Sequence, residues 1–190
     1  MSRRITLTLV GALMLGACAM SPKKQAFLQN MPTWMIQDQS MHITQGIDSS
    51  HVINGQVERS EGIARERARF RVAIHIANRL KDVFNVTQNS KQKPYDNEVF
   101  KEVIQAIATS LDKEVQLGEY INPNNHEVFM LVRVNSYSPE RLGKALSEIS
   151  LLDPETIKQV MLGVKKIFEE VALESDAQTH HDFTKERGGH

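Results

Sequence analysis

A chain of 190 residues with a single cysteine, Cys18, has no disulfide framework to hold it together. Its stability must come from packing or from assembly. Neither charge is in excess, since Lys plus Arg and Asp plus Glu both number 23. That balance gives no reason to expect nucleic acid as a partner. There is no glycine-rich phosphate loop, no HExxH pair and no serine in a nucleophile elbow. The seven histidines do not cluster by spacing. His75 falls among apolar residues at helix spacing and reads as a packing or surface histidine. His180, His181 and His190 share a polar tail with Asp182, which reads as solubilising in preference to metal-binding. Glu58, Glu61, Glu66 and Asp82 offer carboxylates, but no pair in which an acid is set apart from a base. The expectation is a protein that is not an enzyme, with no catalytic residue, no metal and no cofactor.

Long apolar runs are also missing. The longest opens the chain at residues 5–15 and falls short of the roughly 20 residues that cross a bilayer. It does have other company. Arg3 and Arg4 precede it, and the small residues Gly16 and Ala17 lead into Cys18. This is the three-part layout of a secretory signal. Leu15, Gly16, Ala17 and Cys18 resemble the lipobox of bacterial lipoproteins. The resemblance implies cleavage between Ala17 and Cys18, acylation of Cys18, and membrane lipid as a covalently attached partner. Ala19, where an Asp would redirect the protein, fits an outer-membrane address facing the periplasm or the cell surface.

Residues 18–35 read as a tether ending in Pro32 and Trp34, the only tryptophan. Trp34 is a candidate packing or interface anchor. Residues 41–53 suggest two short strands or one strand with a long turn, punctuated by Gly46 and Gly55. A long helix is expected from Ser60 to Phe84, with Arg59 or Ser60 at its N-cap. Ala64, Ala68, Ala73, Ala77 and Leu80 recur on one face. Arg65, Arg67, Arg69, Arg71 and Arg79 lie off that line and read as a solvated face paired to Glu61, Glu66 or a neighbouring subunit. A second helix is expected over residues 98–111, from Val99, Val103, Ile107 and Leu111. Residues 115–134 carry the clearest hairpin, turning at Asn122-Pro123-Asn124-Asn125. Val128 and Val132 are anchors on a strand apolar on both faces, which predicts a central position or a covered second face. Ser138-Pro139 and Asp153-Pro154 start two final helices, and Val164 and Phe168 lie on the broad apolar stripe of the last.

The fold class is therefore α+β, a small antiparallel sheet with helices packed on one side plus a C-terminal helix pair. The expected partition is a signal at 1–17, the tether at 18–35, a compact domain at 36–135, a helical extension at 136–175 and an unstructured tail at 176–190. The lipobox, the Pro32-x-Trp34 segment, the Ala/Arg-rich helix and the late strand at 128–134 together resemble a family. It is the small outer-membrane lipoprotein family that includes a twenty-kilodalton surface lipoprotein of gastric bacteria and the flagellar lipoprotein FlgP. That resemblance implies a non-enzymatic structural scaffold, forming rings or disks in the flagellar envelope with copies of itself and with other envelope or flagellar proteins. The alternative is a monomeric periplasmic or surface module that recruits another envelope protein.

Overall fold

The computed structural model describes residues 31–37, 42–82 and 97–185, of which 97 and 174–185 are described by backbone alone. From Thr33 onwards they belong to one compact unit. Ala17 and Cys18 lie outside the described residues.

The elements run α1 (Thr33–Ile36), β1 (Gln45–His51), α2 (Val57–Arg79), α3 (Asn97–Ser110), β2 (Leu111–Asn122), β3 (Glu127–Tyr137), α4 (Pro139–Ser147) and α5 (Pro154–Lys185). The three strands form one antiparallel sheet in the order β1-β3-β2. The two-sided apolar strand is thus the central one. The sheet with helices packed around it, the C-terminal pair included, is the expected fold class.

Alternation builds the core. Val128, Met130, Val132 and Val134 on β3 point to one face and are fully buried. Against them lies α2, whose Ala64, Ala68, Val72, Ala73, Ile76 and Ala77 are fully buried as well. Small side chains let the helix come close, and β1 meets it with Gly46, paired to Val132. A methyl group on Gly46 would collide with the Ala68 carbonyl oxygen and lie 3.1 Å from Val72 Cγ2. Leu142, Leu146, Val160, Val164, Ile167 and Phe168 belong to the same core. Tyr137 at the end of β3 stacks on Phe168, ring centroids 5.0 Å apart.

Several boundaries differ from the sequence reading. Of the two readings of residues 41–53, the structure gives the single strand, Gln45–His51, after which Asn54 and Gly55 take positive φ angles of 53° and 72° and turn the chain into α2. The helix begins at Val57, and Gln56 at its N-cap makes no side-chain capping bond. Ser60 is buried inside it, its hydroxyl donating to the His51 carbonyl at 2.9 Å. The two later caps form as their residues dictate. Ser138 Oγ accepts from the Arg141 amide at 3.2 Å. Asp153 Oδ1 accepts from the amides of Glu155 and Thr156, each at 3.0 Å. Helix α5 runs on to Lys185, into the segment whose polar composition suggests a tail.

Candidate functional site: the open face of the sheet

Helix α2 occupies one face of the sheet. The pairing defines what lies on the other: Gln45, Ile47 and Ser49 of β1, Phe129, Leu131 and Arg133 of β3, and Val115, Gly118 and Tyr120 of β2. Paired residues share a face and alternate residues oppose it, so these side chains point away from α2.

Trp34 covers part of this surface. A Cβ on Gly118 would sit 2.8 Å from both Nε1 and Cε2 of the indole. Glycine is required there because the ring lies directly on the strand, beside the bulge between Gln116 and Gly118. Leu131, the partner of Gly118, is buried although it is not part of the α2-side core. Trp34 is therefore placed on the open face, half-buried, whereas Val128, Val132, Val164 and Phe168 all lie in the core. Those four anchors pack the protein internally and are not on offer to a partner.

Beyond Trp34 the face is largely apolar and half-buried to exposed. Val115 is 39% exposed, and Leu117, in the bulge, 41%. Tyr120 and Phe129 are half-buried cross-strand neighbours with ring centroids 6.3 Å apart. Two rows away on the same face, past the Leu131–Gly118 pair, stands Arg133, flanked by Gln45 and Val115. Its Nε is buried without a hydrogen-bond partner. Neither flanking residue is acidic. Glu127, at the far end of β3, is about 20 Å away at strand spacing, and it already accepts from Ser49 Oγ at 2.6 Å and Asn125 Nδ2 at 3.1 Å.

The arginines of α2 differ. Arg71 pairs with Asp48 at 2.7 Å. Arg67 donates to the Ser49 carbonyl and Arg69 to the Leu111 carbonyl, both at 2.8 Å. Arg65 donates to Gln116 at 2.7 Å and lies 3.9 Å from Glu114. Sequence reading assigned them mainly to acidic neighbours on the helix or in another subunit. In the fold most of them reach down and clasp the sheet, because β1 and β2 present acceptors on both sides of the helix. A groove of about 830 Å³ along α2, floored by Ile63, Phe70 and Ile74, is rimmed by Arg67 and Arg71 in these engaged positions.

Glu61 is raised above the usual carboxylate range, first by desolvation and then by the charge of Glu119. The two form a like-charge pair, Glu61 half-buried and Glu119 exposed. Among the described residues no group of three His, Cys, Asp or Glu could hold a metal ion. His75 Nδ1 lies 3.1 Å from the Gln45 carbonyl oxygen. Among the described residues no helix is long and apolar enough to cross a membrane.

The family model described as the TNF-alpha-inducing protein of Helicobacter, Tipalpha, matches residues 23–172. No curated protein matches the chain. The family match overturns the resemblance to the FlgP-containing lipoprotein family. With it falls the flagellar ring scaffold, and so does the recruiting module that stood as its alternative. The partner set drawn from that resemblance, further copies in a ring and other envelope or flagellar proteins, falls too. The physical reason is visible in the fold. The residues that carried the resemblance are packing residues: Trp34 lies on Gly118, Ala64 and Ala68 let α2 touch the sheet, and the 128–134 alternation makes a central strand. Any chain that lays an alanine-lined helix on a three-stranded sheet needs such residues, whatever it does.

Proposed function

The chain belongs to the Tipalpha family, and from that premise we propose that it induces TNF-alpha in host cells by contact, through the open face of its sheet, and not by catalysis. The observation that carries this reading is a largely apolar face on which Val115 and Leu117 are exposed, Tyr120 and Phe129 are half-buried, and Arg133 keeps a buried Nε without a hydrogen-bond partner. A face of that composition resembles the core of a recognition surface, where aromatics and arginine concentrate and are shielded on binding. A surface-associated location goes with the family. The finer part of the proposal is that Cys18 is acylated and anchors the protein there. Several acyl chains on one residue hold a protein stably, where one does so only marginally.

The test adds endotoxin-free protein to cultured macrophages and measures released TNF-alpha. Wild type should induce it, and Cys18→Ser should retain the part that the folded domain supplies. Val115→Asp should lower the response by about tenfold, while Arg67→Gln, on the opposite side of the sheet, should not. A folded wild-type protein that releases no TNF-alpha would sink the proposal. Acyl labelling of cells expressing Cys18→Ser decides the anchor separately, since persistent label would place the lipid elsewhere.

A further inference from the structure

The turn that joins β1 to α2 is built from a reactive pair of residues. Ile53, Asn54, Gly55 and Gln56 are all exposed. Asn54 and Gly55 both have positive φ, and the Gln56 amide donates to the Ile53 carbonyl at 3.1 Å. Those are the marks of a type I′ turn, which Asn-Gly suits well. Asparagine is a thermolabile residue, and a glycine after it removes the side chain that would shield the next amide nitrogen. Asn54-Gly55 is the only such step in the chain. The space around it is open, since a Cβ on Gly55 would meet no atom within 4 Å. Among the described residues, neither the Asn54 carboxamide nor the Gly55 amide is held in a hydrogen bond.

We infer that Asn54 is a site of spontaneous covalent modification: deamidation by the Gly55 backbone nitrogen, with water as the co-reactant. Hydroxide takes the Gly55 amide proton, and the nitrogen forms a bond to Asn54 Cγ. The Cγ–Nδ2 bond breaks, Nδ2 takes up protons from water and leaves as ammonia, and a five-membered succinimide remains. Water then opens the ring at either carbonyl. Addition at Cγ gives aspartate with the backbone unchanged. Addition at the backbone carbonyl carbon gives isoaspartate, with the chain now running through Cγ. Ring closure needs a rotation at Asn54 that a type I′ turn does not allow, so the turn opens first. Opening gives up the Ile53–Gln56 hydrogen bond and uncovers no core residue, which places it at the low end of local opening free energies. The two products act differently on α2. That helix starts at Gln56 with no side-chain cap, and Arg59 in its first turn reaches the Gln56 carboxamide at 3.4 Å. A carboxylate at position 54 stands just before this end, where the helix dipole favours it, and Asp-Gly keeps the turn. Isoaspartate lengthens the chain path and breaks the turn. Arg59 also borders the groove along α2, so either product changes the charge at that rim.

The experiment ages the purified, folded full-length chain in warm, mildly alkaline buffer and follows it by peptide mapping and mass spectrometry. The peptide that holds Asn54 should gain the mass of an amide-to-acid change, split into aspartyl and isoaspartyl forms, and do so faster as hydroxide concentration rises. Asn78 in α2 and Asn135 in β3, held in regular structure and followed by Arg79 and Ser136, should convert at least about tenfold more slowly. The same chain unfolded in urea gives the rate of an open turn. The folded chain should keep a rate within about a hundredfold of it, because the turn opens locally. A folded rate lower by roughly a thousandfold or more, the level that global unfolding sets, would overturn the inference. So would an Asn54 that stays intact while other asparagines convert. Asn54→Asp, made directly, should melt no lower than wild type, whereas the isoaspartyl fraction of aged protein should melt lower. Equal melting of the two products would mean that the link between β1 and α2 does not depend on this turn, and would reject the effect on the helix.

Discussion

Single side chains decide whether α2 can sit where it does. Gly46 reads in the sequence as turn punctuation, yet it lies inside β1 and its missing side chain is what admits the Ala68 carbonyl. No local pattern could reveal that, because the residue it makes room for is 22 positions further along, on another element. Gly46→Ala should therefore cost about 4 kcal/mol or more, read as the midpoint shift in urea unfolding. Glu114 makes a subtler case. Burial raises its carboxyl above the ordinary value of 4.5, and the opposing charge of Arg69 does not cancel the effect. Arg65, 3.9 Å away, does not cancel it either. With the folded value raised, the unfolded chain releases this proton first as pH climbs. Stability from this group is fully present below 4.5 and declines as pH rises through the folded value. Glu114→Gln should flatten the stability profile across that window, a change visible in melting curves taken from acid to neutral pH.

Elements were legible wherever their ends carry their own chemistry. Ser138-Pro139 and Asp153-Pro154 announce α4 and α5, and both caps form with the side-chain oxygens that the sequence offers. Asp153→Ala should lower stability by about 1 kcal/mol, measured by thermal unfolding. The start of β2 was not legible. The expected strand opens near Val115, but the helix passes into it at Leu111 with no linker. The carbonyl groups at that junction are satisfied from afar: Leu111 by Arg69 at 2.8 Å, and Ser110 by the Ser138 amide at 2.8 Å and by Arg141 at 3.4 Å. Helix ends normally find such partners locally. Here they come from α2, from α4 and from the Ser138 cap before α4, so the junction exists only once the fold does. The open face was half legible. Alternation along 128–134 signalled apolar residues on both sides, and Trp34 stood out as the only tryptophan. Which strand residues would remain uncovered depended on a register that a bulge shifts by one.

For the molecule as a whole, the expected division into a domain at 36–135 and a helical extension at 136–175 has a sharp test. Leu142, Leu146, Val160 and Val164 are fully buried against the same core as Val132. A fragment that ends at Leu152 loses Val160, Val164, Ile167 and Phe168 from that core. It should fail to unfold cooperatively, while one that ends at Ser175 should melt within about 5 °C of the full chain. Circular dichroism on both fragments decides it. The sheet also divides the molecule into two regimes of sequence drift. On β3, positions 128, 130, 132 and 134 answer to the volume left by α2. Positions 129, 131 and 133 answer to Trp34 and to what arrives from outside. Lineages of this chain should accordingly trade one aliphatic residue for another at the even positions. At the odd ones they should change in step with the surface of whatever they meet, so that one strand preserves two separate histories, written on alternate residues.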